Sequence, residues 1–417
     1  MAFIPPVLAL PPEITAEIFS HYVGTSTHIP PRSGGPLVLA EVCTRWREIC
    51  LSTCSLWASV SIDDRCNWNH QVNLLLLQRW MARAGNHLLD LNIWMRSSSP
   101  FPILSQYSSR WRSLRFRLNA SVPFPFPNGT RVLALVRLDI TIPNPHVAVT
   151  VTAFREAPSL REVLLSSLGP SQSILLPFVQ LTFLRLWRIS LQQCLDMLKE
   201  TPKLEVLSVD TATSRHSSLQ FVSPTLSMVF PHLHTLSFCT GSSTVLDHFT
   251  LPALETLKLT SFKGDGVARL LELAVRSSCS PRSIAVWFME YEMSYRCFRA
   301  FPSLEKVEIF AYPCSPEPCD GCTLASLVNL LNKDDFLPAL CEMKISHCPT
   351  EISSSVLAEM LVSRWHGHRE GVARLKSFHL SFSFSAGIGS SAIDELRGRV
   401  RPLKEAGMDL VIERTPY

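Results

Sequence analysis

A short phrase of the form Pro-x-Leu-x-x-apolar-x-apolar recurs along this 417-residue chain and constrains its fold more than any other feature. It reads TPKLEVLSV from Thr201, FPHLHTLSF from Phe230, LPALETLKL from Leu251, FPSLEKVEI from Phe301 and LPALCEMKI from Leu337. Looser copies are APSLREVLL from Ala157, VQLTFLRL from Val179, ARLKSFHL from Ala373, ALVRLDI from Ala134, SRWRSLRF from Ser109 and HLLDLNI from His87. The first apolar residue of each phrase serves as its anchor: Leu88, Trp111, Leu135, Leu160, Leu181, Leu204, Leu233, Leu254, Leu304, Leu340 and Leu375. Successive steps are 23, 24, 25, 21, 23, 29, 21, 50, 36 and 35 residues. Apolar residues two apart at the end of each phrase share one face of a short strand. Helical patterns fill several intervals: LQQCLDMLKETP from Leu191, DGVARLLELAVRSS from Asp265, TLASLVNLLNKDD from Thr323 and SSSVLAEMLVSRW from Ser353.

One such strand–helix unit cannot bury its apolar face alone; stacked neighbours bury it as a continuous core. The fold class expected is therefore α/β. The early steps match the period of leucine-rich repeats, about 20–29 residues, and residues 70–417 resemble such an array. The resemblance implies an irregular solenoid of strand–helix repeats with a parallel sheet on its concave side. Irregularity is expected because the Asn or Cys position after the strand is met by Cys348, whereas Ile189, Ala212, Gly241 and Phe262 stand there in other units. The step of 50 leaves room for a degenerate copy near RSIAVWF, Arg282 to Phe288. The competing reading is an ordinary α/β domain with a parallel sheet.

Hydrophobic residues make up 46% of the chain and charged residues 18%, enough apolar surface to build a large core. A net charge of +4 points to no particular polyanion. Thirteen cysteines, odd in number and without framework spacing, read as reduced thiols of the cytoplasm or nucleus. The start, MAFIPPVLALPPE, lacks a basic leader, and LLLL at Leu74 to Leu77 falls far short of the ~20 residues that span a bilayer. NGT at Asn128 to Thr130 fits a glycosylation acceptor, and without a secretory signal it is read as chance.

The first sixty residues are of another kind. In LPPEITAEIFSHYV, Ile14, Ile18, Phe19 and Tyr22 share a helical face, Pro11 and Pro12 sit at the start, and Glu13 suits the positive end of the dipole. In PLVLAEVCTRWREICLS, Leu39, Val42, Cys43, Trp46, Ile49 and Cys50 form a second stripe, and STCSLWASV adds Leu56 and Trp57. Three short helices over so few residues make a weak core that needs a partner for its remaining apolar face.

Leu-Pro-x-Glu-Ile…Ile-Phe, then Val-Cys-x-x-Trp-Arg, then Leu-Trp resembles the F-box, over residues 8–62. The resemblance implies a helical module that docks on the Skp-type adaptor, and through it a cullin scaffold, of ubiquitin ligases. It carries adaptor binding onto Leu10, Pro11, Ile14, Ile18, Phe19, Val42, Cys43, Trp46, Leu56 and Trp57. Thr44 stands where a basic residue is common, and the loop GTSTHIPPRSGG is long. An F-box ahead of leucine-rich repeats implies a substrate receptor of the SCF class, with no catalytic residues of its own. The alternative is a repeat scaffold whose N-terminal helices only cap the array.

Residues alternating with the buried ones would line the exposed sheet face. There Arg115, Arg117, Arg137 and Arg185 would converge into a basic patch, and Trp94, Trp187 and Phe310 would be anchors. An acidic or phosphorylated peptide of a protein substrate is the ligand expected, because arginine clusters chelate such groups. The other reading makes these positions a solvated face. No P-loop, G-x-S-x-G or H-E-x-x-H motif is present, and GIGSSA from Gly387 lacks the lysine of a phosphate cradle. Cys314, Cys319 and Cys322 lie together, with His347, Cys348, His366 and His368 downstream. Nothing fixes these as a four-ligand zinc site, so no metal or other cofactor is expected, and neither nucleic acid nor membrane is an expected partner.

Overall fold

The computed structural model describes residues 9–24, 27–29, 34–63, 70–95, 98–118, 126, 130–142, 149–169, 171–211, 227–239, 243–260, 266–287, 291–310, 324–332, 336–348, 353–366, 371–382 and 390–414. The chain forms two compact units, Met1–Thr201 and Pro202–Tyr417.

The first unit opens with helix α1 (Pro12–Val23), strand β1 (Thr27–Ile29), helices α2 (Pro36–Val42) and α3 (Thr44–Ser52), and a 3-10 turn at Cys54–Trp57. Strand β2 (Ser59–Asp63), helix α4 (His70–Arg83) and strands β3 (Leu89–Met95), β4 (Trp111–Leu118) and β5 (Arg137–Thr141) follow. Strands Glu162–Ser166 and Phe183–Ile189 complete a parallel sheet in which neighbours in space follow chain order. The long loop between α1 and α2 therefore supplies β1, which lies against β2 at the sheet's edge.

The register explains the repeated phrase. Val60, Leu91, Leu114, Leu138, Val163 and Leu184 stand side by side across six strands. Ile62, Ile93, Phe116, Ile140, Leu165 and Leu186 form a second row two residues on, and both rows are buried. Each fully buried side chain contributes about 1.5–3 kcal/mol of transfer free energy. The second unit repeats the device. Leu207, Leu236, Leu257, Ile284, Val307, Met343, Phe378 and Leu410 form one row across eight parallel strands. The strand Ser283–Trp287 fills the step of 50 residues, with Pro281 standing where other phrases carry leucine.

One anchor differs from expectation. Leu88 is exposed and Leu89 is buried opposite Trp111, because the β3–β4 register shifts between Leu89 and Asp90. A second regularity is polar. Side chains of later segments satisfy carbonyls of earlier turns: Arg110 those of Ala84 and His87, Gln180 those of Ala157 and Leu160, Arg276 those of Leu246 and Phe249. Turns that lack helix or ladder partners stay hydrogen-bonded in this way.

Candidate interaction surfaces

In α1, Pro12 takes the first turn, where a missing N–H is harmless, and Glu13 faces the positive dipole end. Ile14, Ile18 and Tyr22 are each four residues apart and exposed, while Thr15 and Phe19 are buried. Phe19 meets the Trp46 ring edge to face at 4.9 Å. In α2, Leu39 and Ala40 are buried and Val38 and Val42 are exposed. Cys43 caps α3: its Sγ accepts from the Trp46 N–H at 3.5 Å. Arg45 donates to the Leu10 carbonyl at 2.8 Å and pins the entry to α1.

The residues expected to meet an adaptor therefore divide. Pro11, Ile14, Ile18 and Val42 are exposed, and Leu10, Cys43 and Trp46 are half-buried. Phe19, Leu56 and Trp57, expected to meet the adaptor, are buried by packing within the chain. Trp57 Nε1 donates to the Cys50 carbonyl at 2.8 Å. Val38, Tyr22 and Leu51 are exposed apolar residues that the motif did not assign. For Val38 the signal was its four-residue spacing from Val42.

On the sheet of the first unit, Arg115 ion-pairs with Asp139 at 2.8 Å and Arg137 with Glu162 at 3.6 Å. Arg112, which the sequence did not single out, pairs with Asp90, and that bond raises the arginine's already high pKa. Arginine and carboxylate thus alternate on the face where a basic patch was expected: Asp139 and Glu162 each stand in register beside an arginine of the preceding strand, and Asp90 is met by Arg112 of the following one. The Arg117 guanidinium lies over the Trp94 ring, 4.9 Å from its centroid, and Arg185 and Trp187 are exposed on one strand. In the second unit Phe310 is half-buried and stacks on Trp287 at 4.3 Å, with the Lys344 ammonium 5.9 Å from its ring.

Burial pushes the Cys50 thiol up to about 11 and those of Cys194 and Cys297 to about 12, which suppresses the thiolate a nucleophile needs. Among the described residues no three His, Cys, Asp or Glu side chains gather as a metal site. Cys314, Cys319, Cys322, His368, Asn128 and Gly387 lie outside the described residues. No helix among the described residues is long and apolar enough to cross a membrane.

Half-exposed apolar stripes on two short helices, ahead of a parallel sheet, are the geometry on which a family comparison bears. Residues 7–63 match the F-box-like family model. The match spans α1, α2, α3, the 3-10 turn and β2. The F-box-like module thus includes, in β1 and β2, two strands of the sheet itself. No curated protein matches the chain.

Proposed function

We propose that this chain is the substrate-recognition subunit of an SCF-type cullin-RING ubiquitin ligase. The observation that carries the proposal is the F-box-like match at residues 7–63 together with the exposure of Ile14, Ile18 and Val42 on its first two helices. Apolar side chains held in the open on a module with so little core favour a protein partner. In this reading Leu10, Pro11, Ile14, Ile18 and Val42 meet a Skp-type adaptor, with Cys43 and Trp46 at the rim. Phe19, Leu56 and Trp57 hold those residues in place. Residues 70–417 form the leucine-rich solenoid whose sheet face binds a protein substrate. The chain supplies proximity, and ubiquitin transfer takes place on other subunits.

The pairing of β1 with β2 favours a second role for the same N-terminal module, closing the first edge of the sheet. A scaffold capped in this way and lacking an adaptor is the competing function. Binding of the full chain to a purified Skp-type adaptor, with Leu10→Ala/Pro11→Ala as control, decides between them. Binding by the wild type that is lost in a folded double variant supports the receptor. A folded chain that does not bind leaves the capped scaffold.

A further inference from the structure

On the exposed face of the first unit, Trp94, Arg117, Thr141, Ser166 and Trp187 occupy matching positions on five adjacent strands. Arg117 differs from its neighbours Arg112, Arg115 and Arg137, each of which meets a carboxylate. Its register partners are Trp94 and Thr141, and neither carries a charge. Its Nε is buried and has no hydrogen-bond acceptor, and among the described residues no ion pair engages the guanidinium. A desolvated N–H on a permanent cation is unfavourable unless an anion answers it. The Trp94 ring lies 4.9 Å from the guanidinium carbon and holds the cation in place, and Arg117 is only half-buried, so its terminal N–H groups can take an oxyanion.

Beyond Arg117 the row carries small polar residues, Thr141 half-buried and Ser166 buried. It ends at Trp187, which is 47% exposed. Three strand steps separate Arg117 from Trp187, about 14 Å at ~4.8 Å per step. An extended chain covers that distance in about four residues at ~3.3 Å each. The carboxylates of Asp90, Asp139 and Glu162 on the same face disfavour a continuous polyanion such as nucleic acid and tolerate a single anionic group.

We propose that this row binds an extended peptide segment of a protein partner. The segment places one side-chain oxyanion, carboxylate or phosphate, on Arg117, and an apolar or aromatic side chain about four residues away against Trp187. The inference rests on the reading of the sheet face as the substrate side, and it narrows the substrate class to segments of that pattern.

Fluorescence polarisation with the full chain tests it. The probes are labelled nine-residue peptides, Gly-Ser-X-Ser-Thr-Ser-Phe-Ser-Gly, in which X is Glu, phosphoserine or Gln, plus the Glu peptide with Phe replaced by Ser. The Glu or the phosphoserine peptide is expected to bind at least about tenfold more tightly than the Gln peptide, the effect of one charged hydrogen-bonded contact. Whichever anion binds better identifies the source of the oxyanion. Arg117→Gln should abolish that preference, Trp187→Ala should abolish the preference for Phe over Ser, and Arg112→Gln should change neither. Trp187 is an exposed side chain, so its variant keeps the test decisive if Arg117→Gln fails to fold. Absence of binding by every peptide, or equal binding by the Glu, phosphoserine and Gln peptides, overturns the proposal. Adaptor binding is measured on the same preparation. Adaptor capture without peptide capture overturns this inference alone. Peptide capture without adaptor capture overturns the ligase reading and leaves the row as a peptide site of a scaffold.

Discussion

The Trp57 and Trp80 rings meet edge to face with their centroids 4.7 Å apart, and through this contact the 3-10 turn packs on α4. The Arg83 guanidinium lies 4.5 Å over the Trp57 ring, so the indole sits between a cation and a second aromatic. Trp57 is fully buried. Trp57→Ala should therefore lower stability by about 3–5 kcal/mol, the range for large aromatic truncations in a core. Chemical denaturation of the full chain checks this. A loss below about 1 kcal/mol would show that the contact is not a structural joint.

Ile14→Ser with Ile18→Ser should have the opposite profile. Both side chains are about half exposed, so unfolding stability should change by no more than about 0.5 kcal/mol per site. Capture of a Skp-type adaptor should nevertheless fall sharply. Parallel thermal unfolding and pull-down measurements separate the two effects, and unchanged capture would remove α1 from the adaptor surface.

Arg364 is buried in the second unit and donates to the carbonyls of Leu331 at 2.6 Å, Leu337 at 3.1 Å and Phe336 at 2.5 Å. Leu337 holds φ 49°, a left-handed conformation that leucine rarely adopts without support. Arg364→Met preserves much of the stem and strands these acceptors, each worth about 1–3 kcal/mol when left unpaired. A destabilisation of about 3 kcal/mol or more is expected in urea titration. An unchanged midpoint would mean that water replaces the guanidinium.

Cys194 and Cys297 should resist a thiol reagent at pH 8 until urea unfolds the chain, as read by peptide mass mapping. Burial holds both at about 12, against 9.0 for a free thiol. Below pH 9 the thiols are protonated in both states and do not bias folding. As pH rises from 9 toward 12 only the unfolded thiols ionise, so stability falls across that window. Rapid labelling of the folded protein at pH 8 would contradict the burial.

Much of the sheet was legible in the phrase itself. Leu-x-x-apolar-x-apolar carries both the strand and its inward face, since side chains on a strand alternate with a period of two. The strand Ser283–Trp287 was legible as a gap of the right size, although its anchor is proline. The edge strand Thr27–Ile29 was not, because three residues in a long loop carry no period and pair only when β2 lies beside them. The strand Asp409–Arg414 also escaped, since glycine at 407 stands where the phrase would have leucine.

The candidate surfaces were legible as residue types and only partly as roles. Helical spacing placed Ile14, Ile18 and Phe19 on one broad face, and the packing of Phe19 on Trp46 decided which of them turned inward. The arginines of β4 and β5 could be named, whereas their neutralisation by Asp139 and Glu162 could not. By itself the sequence determined which side chains leave each strand on the outer face, because that follows from local backbone geometry. Only the tertiary structure decided which of them become neighbours, because cross-strand register is set by hydrogen bonds between segments more than twenty residues apart. That register left Arg117 beside Trp94 and Thr141, and Arg115 beside Asp139.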